Sequence, residues 1–83
     1  MRIVGQIDHP FIKITLLQIN DKFLIKLEHG LMEQTYKIRI CDEIPNTDVV
    51  TQLVDETFLG QCIAQFSTMN KALYESMQRH NIV

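Results

Sequence analysis

The sequence predicts an α+β fold, in which a four-stranded antiparallel β-meander is followed by a short and a long α-helix packed on one face. Two observations predict the meander. Two-residue turn candidates occur twice between residues 12 and 38, and the segments around them alternate apolar and polar side chains, which is the pattern of successive hairpins. A third observation predicts the helices, because the apolar period becomes helical beyond Pro45.

The length of the chain bounds its organisation. Eighty-three residues predict a single domain over residues 1–83, with the β-meander in residues 1–40 and the helical part in residues 46–80. A hydrophobic fraction of 46% with 22% charged residues is typical of a globular protein rather than of a disordered one. A chain this short buries a modest share of its unfolded surface, so a monomer has little stability to spare.

The first strand is predicted over residues 2–7. The following loop contains Asp8 and Pro10, which are turn residues, and proline cannot donate to a strand ladder. A four-residue loop keeps the alternating isoleucines of this strand on the inner face. The predicted pairs are Ile7–Ile12, Gly5–Ile14 and Ile3–Leu16.

The second and third strands flank Asn20-Asp21, a two-residue turn candidate. This turn places the apolar residues of both strands on one face, as a half-buried antiparallel sheet requires. Lys13 then lies opposite Glu28 on the other face, where a pair of opposite charges is favourable. The predicted inner pairs are Ile14–Leu27, Leu16–Ile25 and Gln18–Phe23.

The third and fourth strands flank His29-Gly30, the second turn candidate. The resulting register sets Lys26 opposite Glu33, worth about 0.2–1 kcal/mol, and leaves Lys22 opposite Lys37 as a mismatch at the sheet margin. A slip of one residue would turn the apolar set to solvent. The predicted inner pairs are Leu27–Met32, Ile25–Gln34 and Phe23–Tyr36.

Two helices are predicted after the meander, because one straight helix cannot place all its apolar residues on one core. The apolar residues of this segment form two groups. At about 100° per residue, the two groups lie on sides of a single helix that are roughly 180° apart. The first group is Val49, Val50, Leu53 and Val54, and the second is Leu59, Cys62, Ile63, Phe66, Met69, Leu73 and Met77.

A break at Asp55 resolves the conflict, since aspartate caps a second helix well. We expect a short helix over residues 47–54, capped by Asn46 or a neighbour, and a long helix over residues 56–79. Gly60 lies inside the long helix, where glycine costs about 1 kcal/mol. We expect it to mark a close approach of two backbones.

The long helix outruns the predicted sheet. It spans about 36 Å, whereas the strands span about 25 Å. The overhang carries Leu73, Tyr74 and Met77, which would be wet in a monomer. The sequence therefore predicts a homodimer through these three residues, and a two-fold contact is the commonest closed solution. The exposed cross-strand pair of Leu17 and Leu24 is the second candidate contact.

Nucleic-acid binding is the alternative function. Residues 1–40 carry six basic against four acidic side chains, and residues 41–83 carry two against six. A basic sheet face suits a polyanion, but Phe23 and Tyr36 are predicted to point inward and leave no stacking platform. In topology alone, four strands and a long helix resemble the single-stranded-DNA-binding transcriptional coactivators, which dimerise. The candidate contacts on the outer face are Lys13, Lys22, Lys26, Lys37 and Arg39.

A metal-dependent enzyme is the second alternative. The loop after the first strand and the His29-Gly30 turn lie at one end of the meander, so four side chains with metal-ligating chemistry share one rim. Their spacing matches no established motif, and the chain has no Gly-rich phosphate loop or nucleophile elbow. We predict no cofactor. The rim candidates are Asp8, His9, Glu28 and His29.

The remaining patterns indicate a cytoplasmic protein. Cys41 and Cys62 lack the spacing of a redox or zinc motif, and Cys62 is expected to be a small buried residue. No apolar run approaches the roughly 20 residues of a membrane span, and residues 1–6 lack the features of a signal peptide. The leading functional prediction is a small, self-associating interaction or adaptor module without catalytic activity, which binds neither cofactor nor membrane.

Overall fold

A computed structural model of the chain describes residues 1–82. Four strands form one antiparallel sheet in the order β1-β2-β3-β4, and two helices follow. The predicted fold class is therefore confirmed. The elements are β1 (Arg2–Ile7), β2 (Lys13–Ile19), β3 (Lys22–His29), β4 (Met32–Arg39), α1 (Thr47–Leu53) and α2 (Glu56–Arg79).

The β2–β3 register is confirmed at every predicted pair. Lys13 lies opposite Glu28, and the three predicted inner pairs are present. Asn20 adopts a positive φ of 53°, which asparagine tolerates better than most residues and which a tight hairpin turn requires.

The predicted β3–β4 register is wrong by two residues. The turn is Gly30-Leu31 rather than His29-Gly30, because Gly30 takes the left-handed φ of 60° at the first turn position. A shift of two preserves which side chains face the helices, so apolar alternation alone could not distinguish the two registers. The observed pairs are His29–Met32, Leu27–Gln34, Lys26–Thr35, Ile25–Tyr36, Phe23–Ile38 and Lys22–Arg39.

The charge pair that favoured the predicted register forms diagonally instead. Lys26 Nζ lies 3.7 Å from Glu33 Oε1 and 4.0 Å from Glu28 Oε1. Glu28 and Glu33 are now direct cross-strand partners, so the lysine offsets the repulsion between two like charges. The predicted ion pair between Lys26 and Glu33 is therefore present, although the two residues are not direct cross-strand partners. The long lysine side chain spans the diagonal distance.

The predicted β1–β2 register is also wrong. The loop has five residues, 8–12, because Ile12 leaves the ladder and is buried in the core at 6% exposure. A β-bulge between Ile3 and Gly5 then reverses the side-chain alternation, so Val4 packs on the core and Ile3 is 61% exposed. The observed pairs are Ile7–Ile14, Gln6–Thr15, Gly5–Leu16, Ile3–Leu17 and Arg2–Gln18.

The hydrophobic core lies between one face of the sheet and the two helices. It is built from alternate residues of β2 and β3, as a half-buried sheet requires, and from members of both apolar groups of the helical part. Cys62 is buried, as predicted. The core residues are Ile12, Ile14, Leu16, Phe23, Ile25, Leu27, Val50, Val54, Leu59, Cys62 and Phe66.

The break between the helices lies where the sequence predicts it. The Asn46 side chain accepts a hydrogen bond from Val49 N at 3.1 Å and begins α1. The Asp55 carboxylate accepts one from Phe58 N at 2.8 Å and begins α2. Both side chains satisfy backbone donors that a helix start leaves free. The change of direction places Val50 and Phe66 in one core.

The predicted reason for Gly60 is wrong. A Cβ built on Gly60 would meet no atom within 4 Å, so no backbone approaches closely there. The overhang of α2 is present. Phe66 is the last buried residue of α2, and Met69 packs partly on the core. The next ten residues of the helix therefore extend about 15 Å past the core.

Candidate interaction groove

An apolar groove of about 640 Å³ lies between the overhang of α2 and the end of the sheet where β1 meets β2 and β3 meets β4. We call it the helix–rim groove. One wall comes from α2, and the other from the two hairpin loops. Its lining residues are Ile63, Phe66, Ser67, Asn70, Leu73, Tyr74 and Met77 on α2, and Phe11, Ile12, His29, Gly30, Leu31 and Met32 on the rim.

The groove exposes large side chains that a core would normally bury. Leu73 is 52% exposed, Tyr74 47% and Phe11 70%, while Leu31 at the turn tip is fully exposed. The structure thus brings together the three α2 residues predicted to carry a contact between copies. Sequence reasoning missed the rim wall. Leu31 in a tight turn was the available signal, since turn tips are usually polar.

The rim wall is held by His29. Its Nδ1 lies 3.0 Å from the Phe11 carbonyl oxygen, and since a carbonyl only accepts, this nitrogen carries the proton and donates. The same ring tilts against Phe66, with the centroids 5.8 Å apart. His29 therefore links the β1–β2 loop to α2 at Phe66, the last buried residue before the overhang. This link sets the distance between the two walls of the groove.

A polar cluster fixes α2 on β4 below the groove. Gln34 Nε2 donates to the Cys62 carbonyl oxygen at 2.8 Å, and Tyr36 Oη donates to Gln34 Oε1 at 2.9 Å. Gln34 is buried, so these bonds offset the cost of removing its amide from water. The Tyr36 ring also packs edge-on against the Phe58 ring, with the centroids 5.3 Å apart. Sequence reasoning placed Gln34 and Tyr36 inward but did not connect them to the helix.

Contact with Cys62 changes the chemistry of Tyr36. Its hydroxyl lies 3.5 Å from Cys62 Sγ. This hydrogen bond, followed by partial burial and by the charge of the Cys62 thiolate form, raises the pKa of Tyr36 above its ordinary value of 10.0. The neutral phenol is the form that the cluster stabilises.

The four rim candidates for metal binding are not brought together. Glu28 and His29 are successive strand residues and point to opposite faces. Asp8 and His9 line a shallow hollow of about 390 Å³ beneath the β1–β2 loop, and His9 Nδ1 accepts from Phe11 N at 3.1 Å. Within residues 1–82 no group of three or more histidine, cysteine, aspartate or glutamate side chains is placed to hold a metal ion.

The outer sheet face carries the predicted basic residues together. By the observed register the five nucleic-acid candidates all lie on the face opposite the helices: Lys13, Lys22, Lys26, Lys37 and Arg39. Lys26 is paired with Glu28 and Glu33, and Arg39 Nε lies 3.9 Å from Asp21. Phe23 and Tyr36 belong to the opposite face, as predicted.

Leu17 and Leu24, the second candidate contact, are cross-strand partners on this outer face. They are 9% and 7% exposed and do not belong to the core cluster. The bulge in β1 adds Ile3 beside Leu17. Ile3 is the accessible member of this row, and the two leucines are already largely covered by their neighbours.

These features define the class of the protein as a small α+β domain, a meander with two helices on one face. No helix within residues 1–82 is both long and apolar enough to cross a membrane. No family model matches the chain, and neither a curated protein nor a solved structure matches it.

Proposed function

We propose that the protein is a homodimeric interaction module of the cytoplasm, without catalytic activity, whose copies associate through the helix–rim groove. The observation that carries this proposal is the overhang of α2, which presents Leu73, Tyr74 and Met77 beyond the hydrophobic core. Large apolar patches on soluble proteins are generally interaction sites. The outer sheet faces of the two copies stay free for another protein.

The overall dimensions support a second copy as the occupant. The radius of gyration is 15.1 Å and the longest extent is 49 Å, whereas a compact domain of this length has a radius of gyration of about 12 Å. The accessible surface is 6088 Å², against roughly 5,100 Å² for a compact monomer of this mass. The excess of about 1,000 Å² is close to the roughly 800 Å² that each partner contributes to a standard interface.

The chemistry of the groove supports the same conclusion. No aspartate, glutamate, lysine or arginine belongs to the described lining. Interface centres are depleted in charge and enriched in aromatic residues and methionine, and the groove contains Phe11, Phe66, Tyr74, Met32 and Met77. Such a surface gains free energy when a similar apolar surface covers it.

A charge placed in the groove tests the proposal. Leu73→Glu should dissociate the dimer at micromolar concentration, because an unpaired carboxylate in a buried interface is costly. Ala72→Glu is the matched control, since it adds the same charge to the next residue, which is exposed and lies outside the groove lining. Light scattering measures the mass of each variant, and circular dichroism measures the retained helix.

The unmodified protein and the control should have the mass of two chains. A single-chain mass for the unmodified protein at high micromolar concentration contradicts the proposal. A two-chain mass for Leu73→Glu, with its helix content unchanged, would instead move the contact away from the groove. Leu24→Lys then tests the outer row in the same assay.

A further inference from the structure

We propose that the occupant of the groove is α2 of a second copy, which runs antiparallel to the first helix about a two-fold axis at Asn70. This inference rests on the proposed dimer and specifies its geometry. The groove-lining residues of α2 extend from Ile63 to Met77, and Asn70 is the middle residue of that stretch. In an isologous contact about this axis, a residue a given number of positions before Asn70 meets the residue the same number of positions after Asn70 on the partner. We call these mirrored positions.

The types of the mirrored residues carry the inference. The groove-lining residues of α2 are spaced three or four apart, as on any apolar face of a helix, so their spacing alone is not informative. The types of residue that the two-fold axis pairs are informative. The two-fold axis at Asn70 sets an aromatic residue against an aromatic one, because Tyr74 meets Phe66, which is largely buried in its own core but lines the groove. It sets Ile63 against Met77, which are both apolar and of similar size. Aromatic pairs and flexible methionine side chains both pack favourably in such contacts.

The third mirrored pair distinguishes antiparallel from parallel packing. Ser67 meets Leu73 in the antiparallel arrangement, so a small side chain faces a large one and the two surfaces interdigitate. A parallel pair would set leucine against leucine and serine against serine. The leucine pair would hold the two backbones apart, and the serine pair would leave a void beside it.

Asn70 lies on the axis and faces its own copy. Its amide has both donors and an acceptor, so two asparagines can pair across a two-fold axis. A single polar residue at the centre of an apolar helix contact specifies register, because any shift leaves the buried amides unpaired. Asn70 is exposed in the single chain and is the central polar residue of the α2 wall.

The charges of α2 agree with this arrangement. Lys71 and Glu75 form an i,i+4 ion pair with 3.8 Å between Nζ and Oε1, and neither lines the groove. Reflection about Asn70 sets the three charged residues of the overhang against uncharged ones. The mirrored positions are Lys71 with Met69, Glu75 with Gln65 and Arg79 with Gln61.

Disulfide trapping tests the register. In a Cys41→Ser background, which removes the exposed native thiol, Asn70→Cys should form a covalent dimer under mild oxidation because the two positions meet at the axis. Ile63→Cys alone and Met77→Cys alone should not, since each lies about 21 Å along the helix from its own copy and cysteines more than about 7 Å apart cannot be bridged. An equimolar mixture of these two variants should form a disulfide between unlike chains, at the crossing angle of about 20° common in such pairs.

The outcomes separate the inference from the proposed dimer. Light scattering of the Cys41→Ser parent reports the dimer itself, and a single-chain mass overturns both. A dimeric parent in which neither Asn70→Cys nor the mixture of Ile63→Cys and Met77→Cys forms a disulfide overturns the Asn70 axis alone, since the mixture keeps both asparagines. Equal trapping of Ile63→Cys, Asn70→Cys and Met77→Cys, each alone, indicates a parallel pair and also overturns it. A missing disulfide in the mixture overturns the close alignment of the two helices.

Discussion

At the scale of single residues, two polar side chains on the inner face of β4 decide how α2 sits on the sheet. Gln34 and Tyr36 occupy positions where apolar residues would pack on the helices. Their hydrogen bonds end on the Cys62 carbonyl and thiol, so they fix the position of α2 along β4. The groove depends on this, because the position of α2 at Cys62 sets where its overhang passes the rim.

Tyr36→Phe should lower the free energy of unfolding at neutral pH by about 0.5–1.5 kcal/mol, because one hydrogen bond is lost and Gln34 Oε1 loses a partner. It should also remove a pH dependence. Since the pKa of Tyr36 is raised in the folded state, the folded protein holds this proton more tightly than the unfolded chain does. Stability from this group is complete below about pH 10 and is lost as pH rises through the folded pKa.

Urea unfolding at neutral pH and at about pH 10.5 measures this effect. Tyr74→Phe is the matched control, because it removes the other tyrosine hydroxyl and should keep the alkaline loss of the unmodified protein. An identical alkaline loss in Tyr36→Phe would contradict the role assigned to this hydroxyl.

At the scale of elements, α2 is defined by its ends rather than by its interior. Asp55 caps its first turn. Its last turn closes with a Schellman motif, in which Ile82 N donates to Met77 O at 2.9 Å and Asn81 N to Gln78 O at 3.1 Å. Asn81 takes the required left-handed φ of 58°. The helix thus ends just beyond the last residue of the groove.

Gly60 is the weak point inside this helix. Gly60→Ala should raise the free energy of unfolding by about 0.5–1 kcal/mol, because alanine loses less backbone entropy and the added methyl group meets no atom within 4 Å. Gly30→Ala is the contrasting variant and should destabilise, since Gly30 has a φ of 60° that alanine disfavours. Thermal unfolding of both variants checks the signs. A destabilised Gly60→Ala protein would indicate a contact at this position.

At the scale of the whole molecule, charge is divided between the two faces. The outer sheet face carries five basic residues against Glu28 and Glu33, while residues 41–83 carry six acidic side chains against two basic ones. The same division leaves a basic face directed away from the helices, which is the part of the surface suited to a polyanion.

If the outer face binds single-stranded nucleic acid, affinity should fall steeply between low and physiological salt, because phosphate contacts release counterions. Fluorescence anisotropy with a labelled oligonucleotide measures this. Lys22→Glu with Lys37→Glu should abolish binding, while Lys71→Glu is the control on α2. Absence of binding at low salt eliminates this function, and unchanged affinity in the double variant places the site elsewhere.

Local sequence patterns predict the six elements, both helix starts and the inner faces of β2, β3 and β4, but not the face of Ile3 or the place of Ile12. Asn20 and the alternation around it specify the β2–β3 register, and the reversal of the apolar stripe at Asp55 specifies the break between α1 and α2. These are local properties, because period, capping and turn conformation depend on neighbouring residues. The overhang of α2 followed in the same way, from helix rise and strand length alone.

The β1–β2 register, the β3–β4 register and the groove depend on tertiary packing. Registers that differ by two residues expose the same faces, so the choice depends on how Gly30 turns and on whether Ile12 stays in the ladder or enters the core. The groove needs both the rim and α2 in place, and no local pattern brings Leu31 near Leu73. Contacts between distant parts of the chain depend on how the packed elements fit, and a sequence pattern carries no direct record of that fit.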